Sequence, residues 1–437
     1  MRVTILTLGS LGDVAPFLGL GKGLAARGHG VRIATYGRYG AAIAEAGLEH
    51  YVLPGDPARL LRSASSQGIA RAGTNPLAYW RSQRAQARAI AAKARPLLDE
   101  ALAACGDAEL IVYSLTALMG GAIAEARGVP AVQAFLTPVT PTRAFASILA
   151  GRDQSRLGPL GNLLGHYVAE WALTAGFRRL LDDWRGEVLH LPPARPRGLR
   201  GWSLRGGPLA EAERRRCPRL YGISPEVLPA PPDWGDWTEE TGYWPPPLPR
   251  DWAPPAALEA FLAEGEPPVC VGFGSMGEAD GQRLTALVLA ALARVGRRAV
   301  LLSGWGALDP GELPDGIHLA ESVPHAWLLP RVAAMVHAGG AGTSAAVFRA
   351  GLPAVVVPFS GDQFFWARRA AALGVAPPPH SWRQLTAEQL ADGLDSVLSE
   401  PSYRAAAARL AGRLAGEDGV ARAVAAIERL GPRSRDA

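Results

Sequence analysis

The stretch Val336-His-Ala-Gly-Gly-Ala-Gly-Thr-Ser344 carries the clearest structural signal in this sequence of 437 residues. The apolar residues that lead to His337 predict a buried strand, and the glycines that follow predict a turn. A helix is predicted to begin at about Thr343. Glycines let the backbone approach a ligand, and the amides at a helix N-terminus attract anions, so a diphosphate site is predicted. The alternative is an ordinary Gly-rich turn with His337 as a buried core histidine. A P-loop is excluded because its lysine is missing.

The same alternation of strand and helix patterns extends along the chain in both directions. Short apolar runs alternate with Ala- and Leu-rich helical patterns, which is typical of parallel α/β sheets. The predicted strands form two groups: 2–8, 30–35, 109–113 and 131–136, then 269–273, 299–302, 317–319, 332–336 and 354–358. Two groups predict an α/β protein with two Rossmann-like domains, as the chain length also favours.

A stretch rich in proline and tryptophan separates these two groups. Its composition disfavours regular structure and suits a semi-rigid connector, so 225–257 is predicted as a linker. The N-terminal domain is then expected at 1–224 and the C-terminal domain at 258–415. A C-terminal helix and tail at 416–437 can cross back to the N-terminal domain.

Composition excludes several classes of protein. Apolar residues make up 48% and charged residues 19% of the chain, which favours folded domains over disorder. The net charge of +5 comes from arginine, yet the basic cluster at 214–219 lacks the aromatic residues of a nucleic-acid groove. Three scattered cysteines provide no disulfide framework or zinc site. Without a signal peptide or a spanning segment in the sequence, we expect a cytoplasmic protein that can touch a membrane surface.

Two further loops carry candidate functional residues. Asp362 and Gln363 follow the strand at 354–358, at the edge of a parallel sheet where ligands bind. A carboxylate beside an amide suits sugar hydroxyls, although Asp362 can equally be a helix N-cap. In the first domain, Asp13 follows the strand at 2–8, and the next helix is predicted to begin near Pro16. With a raised pKa Asp13 can act as a general base, and capping is again the alternative. The dinucleotide pattern GxGxxG is absent.

The segment 142–180 is unusually apolar and irregular. Phe145 and Trp171 are the aromatic residues that we assign to an apolar acceptor pocket there. The alternative is that these side chains complete the core of the first domain, because amphipathic helices always bury one face.

Five motifs together resemble the family 1 glycosyltransferases of the GT-B fold, most closely the bacterial antibiotic and sterol glycosyltransferase branch. They are GSLGDVAPFLGLGKGLAARGH, GGAIAEARGVPAVQAFLTPVTPTRAFAS, TGYW, FGSMG and VPHAWLLPRVAAMVHAGGAGTSAAVFRAGLPAVVVPFSGDQFFWARR, which follow one another along nearly the whole chain. The resemblance implies two Rossmann-like lobes that face each other across an interdomain cleft, with the acceptor bound by the N-terminal lobe and a nucleotide-sugar by the C-terminal lobe.

The resemblance also implies roles for individual residues. Asp13 matches the general base, and Ser10 in the same loop is a second, weaker candidate on the acceptor side. His337 matches the histidine that contacts the donor phosphates. The other positions implied for the donor are the amides of Gly340, Ala341, Gly342 and Thr343, the sugar-binding pair Asp362 and Gln363, and the nucleotide-facing positions Ser275, Trp305 and Val323.

The chain departs from the family at two positions. Many relatives have a second histidine where this chain has Ala338. Plant-type members pair their base with an aspartate after the strand that corresponds to 109–113, where this chain has only Tyr113, Ser114, Leu115 and Thr116. The second departure leaves Asp13 as the only carboxylate identified for the base.

The function implied is inverting transfer of a sugar from a UDP- or dTDP-sugar to a hydroxyl of an apolar aglycone such as a polyketide, macrolide or sterol. No metal ion and no cofactor beyond the nucleotide-sugar co-substrate are expected. Two alternatives stay open: a nucleotide-sugar isomerase or hydrolase, and a non-catalytic nucleotide-sugar-binding helper of a partner transferase.

Overall fold

The chain folds into two compact units in a computed structural model. Unit 1 comprises Met1–Pro249 together with Asp418–Ala437, and unit 2 comprises Arg250–Glu417. The structure describes residues 1–56, 94–148, 158–175, 178–192, 208–249, 251–274, 281–304 and 313–431.

Unit 1 contains a seven-stranded parallel sheet in the order β3-β2-β1-β4-β5-β6-β7. Its strands are β1 Arg2–Leu6, β2 Gly30–Tyr36, β3 Glu49–Leu53, β4 Leu110–Tyr113, β5 Ala131–Phe135, β6 Arg219–Tyr221 and β7 Thr238–Glu240. The described helices that accompany them are α1 Leu11–Ala26, α2 Gly40–Glu45, α3 Arg95–Ala104, α4 Met119–Arg127, α5 Gly158–Ala175, α6 Arg178–Glu187 and α7 Pro208–Arg214.

Unit 2 contains a five-stranded parallel sheet in the order β10-β9-β8-β11-β12. Its strands are β8 Val269–Gly272, β9 Ala299–Leu302, β10 Ile317–Ala320, β11 Ala334–His337 and β12 Ala354–Val356. Its described helices are α8 Ala256–Ala263, α9 Gly281–Val295, α10 His325–Leu328, α11 Ala341–Ala350, α12 Gln363–Ala372, α13 Ala387–Ser399 and α14 Pro401–Leu414. The last helix, α15 Gly419–Glu428, belongs to unit 1.

The strands whose ends carry or adjoin the candidate residues are buried in both sheets. Central strand β1 from Val3 onward and its neighbour β4 are buried on both faces, because helices cover parallel sheets on each side. In unit 2, strands β8, β9 and β11 are buried along their whole length. The α/β class with two Rossmann-like sheets is therefore confirmed. In the part of the chain that the structure describes, no helix combines the length and the apolarity needed to cross a bilayer.

Helix α15 packs against α1 in unit 1. Glu428 accepts hydrogen bonds from Arg27 Nε at 3.2 Å and from His29 Nε2 at 3.1 Å. These contacts connect the C-terminal part of the chain to the C-terminal end of α1, the helix that carries Asp13 near its start.

Three features of unit 1 differ from the sequence prediction. Strands β3, β6 and β7 were not predicted: β3 begins with Glu-His and is only partly buried, β6 has three residues, and β7 carries Thr-Glu-Glu without an apolar run. Strand β7 lies inside the predicted linker 225–257, so that stretch is not free of regular structure. Helix α1 begins at Leu11, which leaves Pro16 inside the helix and not at its start.

Candidate functional site

Asp13 is the third residue of α1 and closes the first turn of the helix. Its Oδ2 accepts hydrogen bonds from the Ser10 backbone N–H and from Ser10 Oγ, each at 2.8 Å. Ser10 is the N-cap residue, so the Ser10-x-x-Asp13 spacing is a capping box. This sequence signal could have placed the helix start correctly. Capping occupies only Oδ2: no residue in the described ranges donates to Oδ1.

The loop that carries Asp13 is held by neighbouring strand ends. The Tyr39 hydroxyl donates to the Gly9 carbonyl at 3.0 Å, and Thr116 Oγ1 donates to the Leu8 carbonyl at 2.6 Å. Gly9 has a φ of +122°, and a methyl group there would lie 2.4 Å from Asp13 Oδ2. Glycine at this position is thus what allows the carboxylate to lie against the backbone.

The surroundings of Asp13 shift the pKa of its carboxyl group and of two nearby tyrosines. The carboxyl is half-buried, and burial raises its pKa from the usual value near 3.8, while the two hydrogen bonds from Ser10 oppose that rise. Burial, together with the nearby charge of Asp13, raises the pKa of Tyr36 and of Tyr39 to about 12. Both phenols are therefore neutral at physiological pH. Sequence reasoning did not identify these tyrosines, which come from the end of β2 and the turn that follows it.

His337 ends β11 and is 1% exposed. Its Nδ1 accepts a hydrogen bond from the Gly339 N–H at 3.1 Å. Burial, with a smaller effect of His325, lowers the pKa of His337 to about 3, so the ring is neutral. We assign its proton to Nε2, because Nδ1 is an acceptor here. Nε2 is buried and has no hydrogen-bond partner among the described residues. The described residues thus leave this histidine unsatisfied, and its unpaired N–H is suited to an anionic ligand.

The turn after His337 leads into the N-terminus of α11. Gly339 has a φ of +86°, and a methyl group there would lie 2.8 Å from Val356 Cγ1. Gly340 is the N-cap residue of α11 and has no side chain to cap the helix. Among described residues, none accepts a hydrogen bond from the first-turn amides of Ala341, Gly342 and Thr343. These amides and His337 Nε2–H form a set of unpaired donors for an anion.

Asp362 and Gln363 lie at the start of α12. Asp362 occupies the N-cap position, yet its side chain makes no capping bond, and its Oδ2 accepts from the Trp366 indole N–H at 3.2 Å. Gln363 Oε1 accepts from the Phe359 and Ser360 amides at 2.8 and 3.1 Å, which leaves its NH2 group as a donor. The methyl position at Gly339 lies 3.0 Å from the Gln363 carbonyl oxygen, so the structure brings this loop together with the His337 turn.

The remaining donor positions are only partly described. The Val323 side chain is buried, while its backbone N–H and C=O make no hydrogen bond to a described residue. His325, which lies two residues further on, was not predicted, although its electrostatic effect on His337 makes it part of the same neighbourhood. Ser275 and Trp305 lie outside the described residues.

The predicted acceptor residues are both half-buried in unit 1. The Phe145 ring lies 5.9 Å from the His166 ring and 6.3 Å from the Trp234 ring, both edge to face. Trp171 lies on α5, whose inner face is polar and not apolar as the sequence pattern suggested. Periodicity shows which residues share a helix face, but not which of two faces is turned inward.

Unit 1 also contains a cavity of about 300 Å³ away from these residues. It is lined by Tyr113, Met119, Glu125 and Cys217, among others, and none of the predicted site residues lines it.

Two family models match the chain. Residues 3–146 match the glycosyltransferase family 28 N-terminal domain, and residues 286–430 match the erythromycin biosynthesis protein CIII-like C-terminal domain. Together with two parallel sheets and the strand-turn-helix at His337, these matches define a glycosyltransferase architecture. The chain belongs to the family 1 glycosyltransferases of the GT-B fold.

Its similarity to curated relatives extends over almost the whole chain. A sterol 3-beta-glucosyltransferase of Arabidopsis thaliana is 34% identical over 435 residues, which cover 98% of this chain and 68% of the relative. A sterol 3-beta-glucosyltransferase of Candida albicans is 34% identical over 444 residues, which cover 98% of this chain and 27% of the relative. The chain spans between 27% and 30% of the length of the first fungal relatives.

A solved structure shows the same fold. The glycosyltransferase VinC in complex with dTDP superposes with a TM-score of 0.66 at 21% identity, over 98% of this chain and 99% of that chain.

Proposed function

We propose that this protein transfers a sugar from a nucleotide-sugar to a hydroxyl of an apolar acceptor, a sterol or a similar polycyclic natural product, with Asp13 as the general base. The geometry of Asp13 carries the proposal: one carboxylate oxygen accepts hydrogen bonds from Ser10, the other has no donor among the described residues, and burial raises the pKa. The sterol glucosyltransferases among the relatives support the acceptor class, and VinC with bound dTDP supports a nucleotide donor.

The donor would be held by the unpaired groups of unit 2. The diphosphate would accept hydrogen bonds from His337 Nε2–H and from the first-turn amides of α11. Because His337 is neutral, its contribution is a hydrogen bond and not an ion pair. Asp362 and the Gln363 NH2 group would contact the sugar hydroxyls. The uridine and thymidine forms of the donor are both compatible with these contacts.

The reaction would be a single displacement. The acceptor oxygen forms a bond to the anomeric carbon, its proton passes to Asp13 Oδ1, and the bond from the anomeric carbon to the diphosphate oxygen breaks on the opposite face. The product is then inverted. Charge on the departing diphosphate would be stabilised by His337 and the α11 amides, and preorganised donors of this kind contribute ~3–4 kcal/mol each. These donors take the place that a divalent cation has in other transferases, so we include metal independence in the proposal.

The test compares Asp13→Asn with Ser10→Ala. Asp13→Asn should lower kcat at least about a hundredfold and leave nucleotide affinity within about twofold, as expected for loss of a general base. Ser10→Ala should keep activity but move the acid limb of the pH–kcat profile upward, because it removes the Ser10 Oγ hydrogen bond that favours the ionised carboxylate and keeps the one from the backbone N–H. Since the base must be ionised, activity falls as the pH drops through a pKa that lies above the usual value near 3.8.

Products would be followed by mass spectrometry with and without a sterol acceptor. Unchanged turnover of Asp13→Asn would remove Asp13 from the mechanism. Donor consumption without transfer to any acceptor would indicate a hydrolase or isomerase.

A further inference from the structure

Helix α5 exposes three large apolar side chains on one face and buries three polar side chains on the opposite face. Leu160, Leu164 and Val168 are 71%, 54% and 36% exposed. Asn162, His166 and Glu170 are 7%, 2% and 5% exposed. Each set repeats every four residues, and the sets are offset by two positions, which puts them on opposite faces of the helix. Surface helices of soluble proteins have the reverse arrangement.

Each of the three buried polar side chains makes a hydrogen bond that fixes the orientation of the helix, and Asn162 Oδ1 is the one buried atom among them without a partner in the described residues. Asn162 Nδ2 donates to the Arg143 carbonyl at 3.1 Å, and His166 Nε2 donates to the Phe145 carbonyl at 3.1 Å. Glu170 Oε1 accepts from the Ala210 N–H at 3.0 Å. Turning α5 to bury its leucines would break all three bonds and leave buried partners unsatisfied. The exposed apolar face is therefore imposed by this network.

The exposed face is also concentrated and free of charge. Of the eight large apolar side chains that are exposed within the described residues, three belong to this one helix face. Glu170 is the only charged residue in α5, and it lies on the buried face. From Leu160 to Val168 the face extends about 12 Å along the helix, too short to span a bilayer but long enough to lie in its surface.

We propose that the outer face of α5 docks on a lipid bilayer and holds unit 1 at the surface in which an apolar acceptor is dissolved. The inference rests on the proposed function, since a sterol-like acceptor resides in membranes and not in water. Tyr167 and Trp171, half-buried on the same helix, are residue types that favour the interface between lipid and water. The inner face of α5 binds the backbone of Arg143 and Phe145, so docking would bring the predicted acceptor loop to the lipid.

A second copy of this chain is a less suitable occupant. Three side chains of this size bury a few hundred Å² when they are covered, whereas a stable protein interface buries about 800 Å² on each partner. Insertion of a few apolar side chains into a bilayer has no such minimum area, and its strength increases with the apolar area buried.

The experiment measures flotation of the full chain with phosphatidylcholine vesicles, with and without a sterol. The double variant Leu160→Asp with Leu164→Asp is compared with Leu248→Asp, a matched control at an apolar residue that is 47% exposed elsewhere in unit 1. We expect the wild type and the control to float with the vesicles and the double variant to bind at least about tenfold more weakly. Equal binding of all three proteins, or no binding of the wild type, would overturn the proposal.

Two further readouts separate the possible results. Light scattering that shows a dimer in the wild type and a monomer in the double variant, without vesicle binding, would assign the face to a second copy and overturn membrane docking. The double variant should lose transfer to a sterol in vesicles while it keeps transfer to the same sterol in detergent micelles. If no protein transfers sugar to either form although the wild type floats, the proposed function fails and the membrane inference stands.

Discussion

Gly9→Ala should displace the carboxylate of Asp13 without changing any charged or polar side chain. The new methyl group would lie 2.4 Å from Asp13 Oδ2, closer than carbon and oxygen can approach, and the residue would keep a φ of +122° that disfavours alanine. Backbone strain of this kind costs about 1–3 kcal/mol. Moving the carboxylate also breaks its bonds from Ser10, and each hydrogen bond to a charged group is worth about 1.5–3 kcal/mol.

Gly28→Ala is the matched control, because Gly28 also has a positive φ, +83°, but no atom within 4 Å of the added methyl group. The control should lower the free energy of unfolding by about 1–2 kcal/mol and leave kcat unchanged. Gly9→Ala should lower it by about 4–9 kcal/mol, the sum of the strain and of the two lost hydrogen bonds, and reduce kcat at least about a hundredfold.

Urea unfolding and initial-rate kinetics at saturating donor measure both quantities. Wild-type kcat in a folded Gly9→Ala protein would refute the claim that this glycine positions the base. Equal loss of kcat in Gly28→Ala would attribute the effect to general destabilisation.

Three other outcomes follow from the site. His337→Ala and Gly342→Val should each weaken UDP or dTDP binding in titration calorimetry, the first by removing the unpaired Nε2–H and the second by obstructing the helix amides; wild-type affinity in both would place the phosphates elsewhere. Activity should survive excess EDTA, and loss that magnesium or manganese restores would contradict the metal-free mechanism. Phe145→Ala and Trp171→Ala should raise the acceptor KM with little loss of stability, because both side chains are half-buried. Phe135→Ala in the core should instead lower the free energy of unfolding by ~3–5 kcal/mol. If the first two variants unfold early but keep normal acceptor kinetics, both residues belong to the core and not to a pocket.

The sequence alone was sufficient for the α/β architecture and for placing the candidate donor residues after the ends of strands. Short apolar strands that alternate with helices are typical of a covered parallel sheet, and the residues that follow such strands collect at one edge of it. The positions of His337, the glycines after it, and the pair Asp362 and Gln363 after two neighbouring strands could therefore be predicted from order and spacing, whereas their roles toward a donor were implied by the family resemblance and stay a prediction. The start of α1 was also available in the sequence, as the Ser10-x-x-Asp13 capping box, but Pro16 was given more weight.

Only the tertiary structure determines which groups pair with one another, because the order and spacing of residues along the chain do not show which distant segments meet. The unpaired state of His337 Nε2 and the free Oδ1 of Asp13 depend on which groups distant segments bring within hydrogen-bond distance. Strand β7 exists because β6 offers it a parallel partner, although its own residues carry no strand pattern. Helix α5 is the clearest case. Its sequence predicts two faces, but the carbonyls of Arg143 and Phe145 and the amide of Ala210 determine that the polar face lies inside.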